Sequence, residues 1–409
     1  MRSPSPNYRV AALVCAFTLT GCGLSASEAN PSERPNIIIA LADDISAAML
    51  SCYGGESVKT PILDGLAAEG IRFTNCFAPP LCMPARCELL TGLYSHRNFL
   101  GRGNVAIGER TIASLLKEVG YTTCQVEKWH LNIRNGAMPP DVGFDEYYHS
   151  KLAHNYEDPI FDENGTESSY PGGYGPEVAR DHAFDFIERN VDRPFFLYWG
   201  MHLPHSPYHD PPGSDQNSRS NYTEKYFAMV EHLDYRIDEL IQFLETHSLR
   251  RKTILIFLGD NGTPKGFTYQ SGGLTLAGGK ASLMDSGTLV PMIVNWPGTI
   301  TGGQVDQAPV DFADFLVTAG HLAGMKPRSI TNTDGISLLP RFFETATGPQ
   351  RSIAFKFGVQ NGGKGAGPSG GYWARTSRWK LYEDGRFFDM RTDPLESQSI
   401  QPGSAVEDG

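Results

Sequence analysis

The chain carries no surplus of positive charge: 35 Lys and Arg stand against 46 Asp and Glu, a net charge of −11 over 409 residues. That balance excludes a nucleic-acid surface, which needs a basic face against the phosphates. Long apolar runs are lacking too. The run from Val10 to Leu19 is about half the ~20 residues that a membrane-spanning helix requires. No internal repeat is found. Cysteine is sparse, seven in all, and no two stand in the Cys-x-x-Cys spacing of a redox pair. Neither charge (20%) nor aromatic content (11%) is that of a disordered chain. With 40% hydrophobic residues the chain can bury one large domain, expected at 35–345, and a smaller α+β unit at 346–409.

The N-terminus reads as an address. Arg2 and Arg9 precede the short apolar run, and Leu19-Thr20-Gly21-Cys22 resembles the bacterial lipobox. Residues 1–21 are therefore expected to be a lipoprotein-type signal, Cys22 the lipidated residue, and 22–34 a polar linker. Cleavage near Ala26 or Ala29 is the rival. Either way the protein is expected to be exported, to the periplasm or outer membrane or beyond, touching membrane only through that anchor. Cys15 leaves with the signal. Five thiols then remain beside Cys22, an odd number for an oxidising compartment, so one has a separate task. The other four form two disulfides or are packed thiols.

Beyond the linker, Asn36 to Leu41 is continuously apolar and β-branched, the pattern of a strand buried on both faces. Helices are predicted at Ile62–Glu69, Thr111–Val119 and Glu177–Asn190. A longer one is predicted at Tyr222–His247, with Asn221 as cap and an apolar stripe through Phe227, Val230, Leu233, Ile237, Leu240, Ile241 and Leu244. Strands alternate with them at Tyr121–Val126, Pro194–Gly200 and Thr253–Leu258. Alternation of this kind predicts an α/β fold with a large, mostly parallel sheet flanked by helices. After a helix at Asp311–Leu322 the pattern changes, and segments 372–376, 378–382 and 386–390 predict a small antiparallel sheet.

Four strands exit into polar pairs: Asp43-Asp44, Lys128 with His130, His202 with His205, and Asp260-Asn261. Singly each has a bland reading as cap or turn. Together they lie where such sheets bind ligands, beyond the carboxyl ends of the strands. Asp43, Asp44, Asp260 and Asn261 offer only oxygen, the set preferred by Ca²⁺ or Mg²⁺. Arg86, Lys128 and a later lysine supply the cations that a sulfate or phosphate needs. The stretch 79–92 (PPLCMPARCELLTG) predicts a rigid loop that delivers Cys82 to a helix beginning near Ala85, in an electropositive pocket. A buried structural thiol is the alternative. Three residues between Cys82 and Arg86 are too few for a Cys-based phosphatase loop.

The string Cys82-x-Pro84-x-Arg86-x-x-x-Leu90-Thr91-Gly92 resembles the sulfatase signature, with Ala85 where Ser is usual. The strand exits are similar to sulfatase motifs in order. Glu127-Lys128-Trp129-His130-Leu131 resembles Gly-Lys-Trp-His-Leu, His202 to His205 resembles His-x-Pro-His, and Gly259 to Gly262 resembles the second metal motif. Gly279-Lys280 resembles the Gly-Lys that reaches sulfate, although Leu289 replaces an Arg expected downstream. The resemblance spans about residues 34–400. It implies an alkaline-phosphatase-like fold and sulfate ester hydrolysis on a sulfated glycan or an aryl sulfate. Cys82, oxidised to formylglycine by a maturation enzyme, is the implied nucleophile beside Ca²⁺ held by Asp43, Asp44, Asp260 and Asn261, with residue 82 joining. Arg86 orients the diol, while Lys128 and Lys280 meet the sulfate. His205 protonates the leaving alcohol, His130 takes a proton, and His202 contacts substrate. A phosphomonoester or phosphonate ester hydrolase is the rival on the same scaffold, and a non-catalytic glycan-binding protein the remoter one.

Overall fold

Every residue of Asn36–Ala42 is buried, and its side chains alternate between two apolar clusters: Ile37, Ile39 and Leu41 enter one, Ile38, Ala40 and Ala42 the other. A strand apolar on both faces needs a layer on each side. The computed structural model, which describes residues 34–98, 104–132, 136–151, 156–214, 221–343, 351–357 and 371–401, supplies both. The expected signal, Cys22 and the linker up to residue 33 lie outside the described residues.

The strands in chain order are β1 (Asn36–Ala42), β2 (Ile71–Phe77), β3 (Thr122–Glu127), β4 (Glu146–Ser150), β5 (Ile160–Glu163), β6 (Thr166–Ser169), β7 (Phe195–Gly200), β8 (Thr253–Gly259), β9 (Thr268–Ser271), β10 (Leu274–Ala277), β11 (Leu289–Asn295), β12 (Gln304–Asp306), β13 (Val310–Asp311), β14 (Ala354–Phe357), β15 (Tyr372–Arg375), β16 (Trp379–Tyr382) and β17 (Phe387–Asp389). The helices are α1 (Pro61–Ala68), α2 (Cys82–Thr91), α3 (Ser95–Asn98), α4 (Ile112–Lys117), α5 (Gly175–Glu188), α6 (Tyr222–Thr246), α7 (Asp285–Thr288), α8 (Asp314–Leu322) and α9 (Leu339–Phe342).

One sheet runs β12-β2-β11-β8-β1-β7-β3-β4-β5-β6, with β13 also on β2. Its centre, β8-β1-β7-β3-β4, is parallel throughout. Helices α1, α5 and α6 cover one face; α2, α4 and α8 cover the other. Along α6 the expected stripe faces the sheet: Val230, Leu233, Ile237, Leu240 and Leu244 are fully buried, with Phe227 and Ile241 half-buried beside them. At about 1.5–3 kcal/mol for each such side chain removed from water, that stripe holds the helix in place.

Register positions the site. Ala42 pairs with Gly259, so Asp43-Asp44 leave β1 beside Asp260-Asn261 leaving β8. Glu127 pairs with Gly200, so the exits of β3 and β7 are likewise neighbours.

Two helix starts differ from expectation by three residues, the other element ends by at most two. Helix α2 begins at Cys82 and not near Ala85, because Leu81 takes the extended N-cap conformation. Pro84 falls in the first turn, where its missing N–H costs nothing. Helix α8 begins at Asp314, since Val310 and Asp311 pair with β2. The small sheet has four antiparallel strands, β14 preceding the three expected. Its Trp373, Tyr382 and Phe388 pack on Phe77 of β2. Cys52, Cys76, Cys82, Cys87 and Cys124 are all free thiols, four of them buried.

Candidate active site

The exits of β1 and β8 are laced together by backbone. Asp260 N–H donates to the Ala42 carbonyl (2.9 Å), and Asp44 N–H donates to Asp260 Oδ1 (3.0 Å). Asp44 turns the chain with φ 72°, a conformation that non-glycine residues rarely adopt outside constrained sites. The result is a buried acidic cluster. Ligand atoms of Asp43, Asp44, Asp260 and Cys82 lie within 4.8 Å of one another. Asn261 donates through Nδ2 to Asp44 Oδ1 (2.8 Å), while its buried Oδ1 has no hydrogen-bond partner among the described residues.

Cys82, at the first position of α2, donates its thiol to Asp43 Oδ1 (3.3 Å) and faces Asp44 Oδ1 at 3.7 Å. Burial and the charges of Asp260 and Asp43 push that thiol well above its usual range. The expected electropositive pocket is therefore corrected. The charges of Asp260 and Asp43, at the exits of β8 and β1, act on Cys82 more strongly than that of Lys128 does. A thiol held protonated is a poor nucleophile as it stands.

Three cations interleave with the three carboxylates. Arg86 is fully buried; its Nε and Nη2 donate to Asp260 Oδ2 (3.2 and 2.9 Å), and Nη1 donates to the Lys128 carbonyl (3.1 Å). That approach requires Gly200 at the end of β7, where a Cβ would lie 2.7 Å from Arg86 Nη1. Lys128 Nζ pairs with Asp43 Oδ2, and Lys280 Nζ reaches Asp44 Oδ2 at 2.6 Å. Burial opposes the charge on Asp43, but Lys128, His205 and Arg86 win, holding its carboxyl well below the usual range. Asp260 goes the other way, to about 7, through burial and the charge of Asp43.

The histidines divide. His205 is half-buried. Its Nδ1 donates to the Ser206 carbonyl (2.7 Å), which fixes the ring and points Nε2 at Asp44 Oδ2, 3.7 Å away. His130 is held near pKa 2 by burial and by Lys128 and Arg86, and its buried Nδ1 has no partner among the described residues. His202 stands beside Glu127, with Nδ1 3.6 Å from Oε1. Leu289, where the resemblance expects Arg, packs against the small sheet.

Sequence reasoning passed over the residues that hold this arrangement. Tyr226 OH donates to the Asp44 carbonyl (2.8 Å), Tyr198 OH accepts from Arg86 Nη1 (3.4 Å), and Tyr156 OH bonds the His202 and His205 carbonyls (3.0 and 2.7 Å). Tyr198 lies in an apolar strand and Tyr226 in a helix, where a tyrosine carries no local signal, whereas Tyr156 stands in a polar loop whose Tyr, His and Asn could as well contact sugar hydroxyls.

Three carboxylates, one of them driven to about 7, and an orphaned amide oxygen form the donor set of a hard divalent cation, and these residues fit one.

Comparison with known proteins bears on this geometry. The sulfatase family model matches residues 35–325. N-acetylgalactosamine-6-sulfatase of Homo sapiens is 28% identical, over 89% of this chain and 76% of its own length. Arylsulfatase A of Homo sapiens is 30% identical, over 79% of this chain and 71% of its own. The solved structure of Ps i-CgsB superposes with a TM-score of 0.76 at 26% identity, covering 90% of this chain and 88% of that one. With a buried acid cluster, interleaved cations and this match over most of its length, the chain belongs to the sulfatase family and is a sulfuric ester hydrolase.

Proposed function

We propose that the protein removes sulfate from a sulfated carbohydrate, using formylglycine at position 82 and a Ca²⁺ or Mg²⁺ ion held by Asp43, Asp44, Asp260 and Asn261. The observation that carries this reading is the set of three buried carboxylates converging on Cys82, flanked by Lys128 and Lys280. Three carboxylates balanced by three cations leave a site of no net charge. A divalent ion added there makes it attractive to a sulfate monoester anion. Bound, that ion supplies positive charge for a sulfate oxygen and acidifies a hydroxyl of residue 82. Oxidised by a maturation enzyme, residue 82 would present a gem-diol, one hydroxyl to bond to sulfur as the alcohol leaves and a second whose loss of a proton would let the aldehyde re-form and sulfate depart.

The other roles belong to side chains already in place. Lys128 and Lys280, each now on a carboxylate, bind sulfate oxygens as charge-assisted donors. Arg86, locked on Asp260, orients residue 82 from within its own helix. His205, its Nδ1–H fixed on the Ser206 carbonyl, gives a proton from Nε2 to the leaving alcohol as the imidazolium, a form that burial disfavours and the Asp43 and Asp44 carboxylates favour. Burial and the charges of Lys128 and Arg86 disfavour the imidazolium of His130, so His130 would take the second hydroxyl's proton only to pass it to solvent as sulfate leaves. The name of the N-acetylgalactosamine-6-sulfatase relative supports a sugar sulfate as the substrate class.

The test is threefold. Mass spectrometry of the tryptic peptide 73–86 should show an aldehyde in place of the Cys82 thiol. Elemental analysis should find about one Ca²⁺ or Mg²⁺ per chain, as one oxygen cluster holds. Turnover of 4-nitrophenyl sulfate should exceed that of the phosphate. An unmodified thiol in active enzyme, or faster phosphate turnover with two Zn²⁺ per chain, refutes the reading.

A further inference from the structure

Glu127 ends β3 with φ 71°, a conformation favouring glycine, which explains why the motif that 127–131 resembles has Gly there. This chain keeps a carboxylate at that position and buries it, with the residue 2% exposed. A buried carboxylate and a left-handed backbone each cost stability, so strong local bonding must hold both. The bonds are in place. Oε2 accepts from Trp199 Nε1 (3.0 Å), and Oε1 accepts from the His202 backbone N–H (3.0 Å) while facing His202 Nδ1 at 3.6 Å. The Glu127 carbonyl is fixed as well, accepting from Gln125 Nε2 (3.2 Å).

What this carboxylate grips is the loop that carries His205. His205 N–H donates to the His202 carbonyl (2.8 Å), and Asp43 N–H donates to the Leu203 carbonyl (3.0 Å). Tyr156 OH clasps the same loop from its other side, at the carbonyls of His202 and His205. Glu127 sets the N-terminal end of this loop, and its neighbour Lys128 reaches Asp43, so one strand end serves both the sulfate and the leaving-group side.

We propose that Glu127 is a positioning residue of the active centre: its carboxylate fixes His202 and, through the 202–205 loop, the imidazole of His205. This rests on the reading of His205 as proton donor, and the experiment separates the two. Glu127→Gln keeps the shape and one acceptor; Glu127→Gly supplies the residue that the backbone conformation favours and is the safer variant for folding. In the mature, metal-loaded enzyme both should lower kcat by roughly 10- to 100-fold, the cost of a small misplacement of a reacting group, with KM within about threefold of wild type. Combined with His205→Ala, either should add less than about threefold to the loss from His205→Ala alone, since the two act as a unit. Full additivity in kcat/KM, or no loss in either single variant, overturns the positioning role. Aryl sulfates of graded leaving-group pKa report separately on the proton donor. If His205→Ala does not steepen that dependence while the two losses remain non-additive, Glu127 still positions the loop and the general-acid reading falls.

Discussion

Replacing Arg86 with Leu tests whether the buried charges act as one electrostatic unit. Both side chains of the Arg86–Asp260 pair are 0% exposed, and the guanidinium also serves the Lys128 carbonyl and Tyr198 OH. Removing one partner of such a pair strands the other, at a cost of about 3–5 kcal/mol. At about 2.1 cal/mol/K per residue, a chain of 409 residues unfolds with an entropy near 0.9 kcal/mol/K, so the apparent Tm in EDTA should fall by about 4–6 °C. Calcium should narrow the gap. The ion brings positive charge to the same carboxylates, and with the guanidinium gone it meets less repulsion on entry. A ligand at 100 times its Kd adds about 2.7 kcal/mol to either protein, and tighter binding adds more to the variant. Differential scanning fluorimetry at one scan rate, with EDTA and then with Ca²⁺ in the millimolar range, reads both effects. An unchanged Tm in EDTA would show that the pair adds nothing. An equal gap in both buffers would show that Arg86 and the ion do not share a field, and the ligand assignment would fall with it.

Two further outcomes are expected. Asp234 on α6 accepts from the Ile62 and Leu63 N–H groups (3.1 and 2.8 Å) that open α1, yet burial lifts its pKa to about 6. A carboxyl raised above its unfolded value of about 3.9 gives stability that is full below that value and is lost as pH rises through about 6. Asp234→Asn should therefore flatten the dependence of Tm on pH between about 4 and 6, and an unchanged slope there would refute the assignment. For export, Cys22→Ala in the native host should move the protein from the membrane to the soluble fraction. Equal partitioning of wild type and variant would favour plain cleavage near Ala26 or Ala29.

How much of this was legible in the sequence depends on how local its physics is. The β1 and β8 runs, their acidic exits and the stripe of α6 are periodicity and composition, and they read directly. Strand β11 did not, because Pro291 sits inside a central strand where the N–H is normally needed. The register shift between Val290 and Met292 against β2 accommodates it, a device with no local sequence signal. Strand β2 escaped for a different reason: Arg72, Thr74 and Asn75 give it half-polar spacing, although it is flanked by β11 and β12.

At the site, residue types were readable, whereas the charge around Cys82 was not. That charge depends on register, which sets the β1 and β8 carboxylates against the start of α2. Glu127 is the instructive case. As a departure from a motif it reads as a loss, one glycine fewer at a turn. In the folded chain the side chain that replaces the missing hydrogen binds two groups, the Trp199 Nε1 and the His202 N–H, and faces the His202 ring, around the loop bearing His205. A glutamate in the left-handed region costs more than glycine would there, and the buried hydrogen bonds of its carboxylate to Trp199 and His202 are what offset that cost.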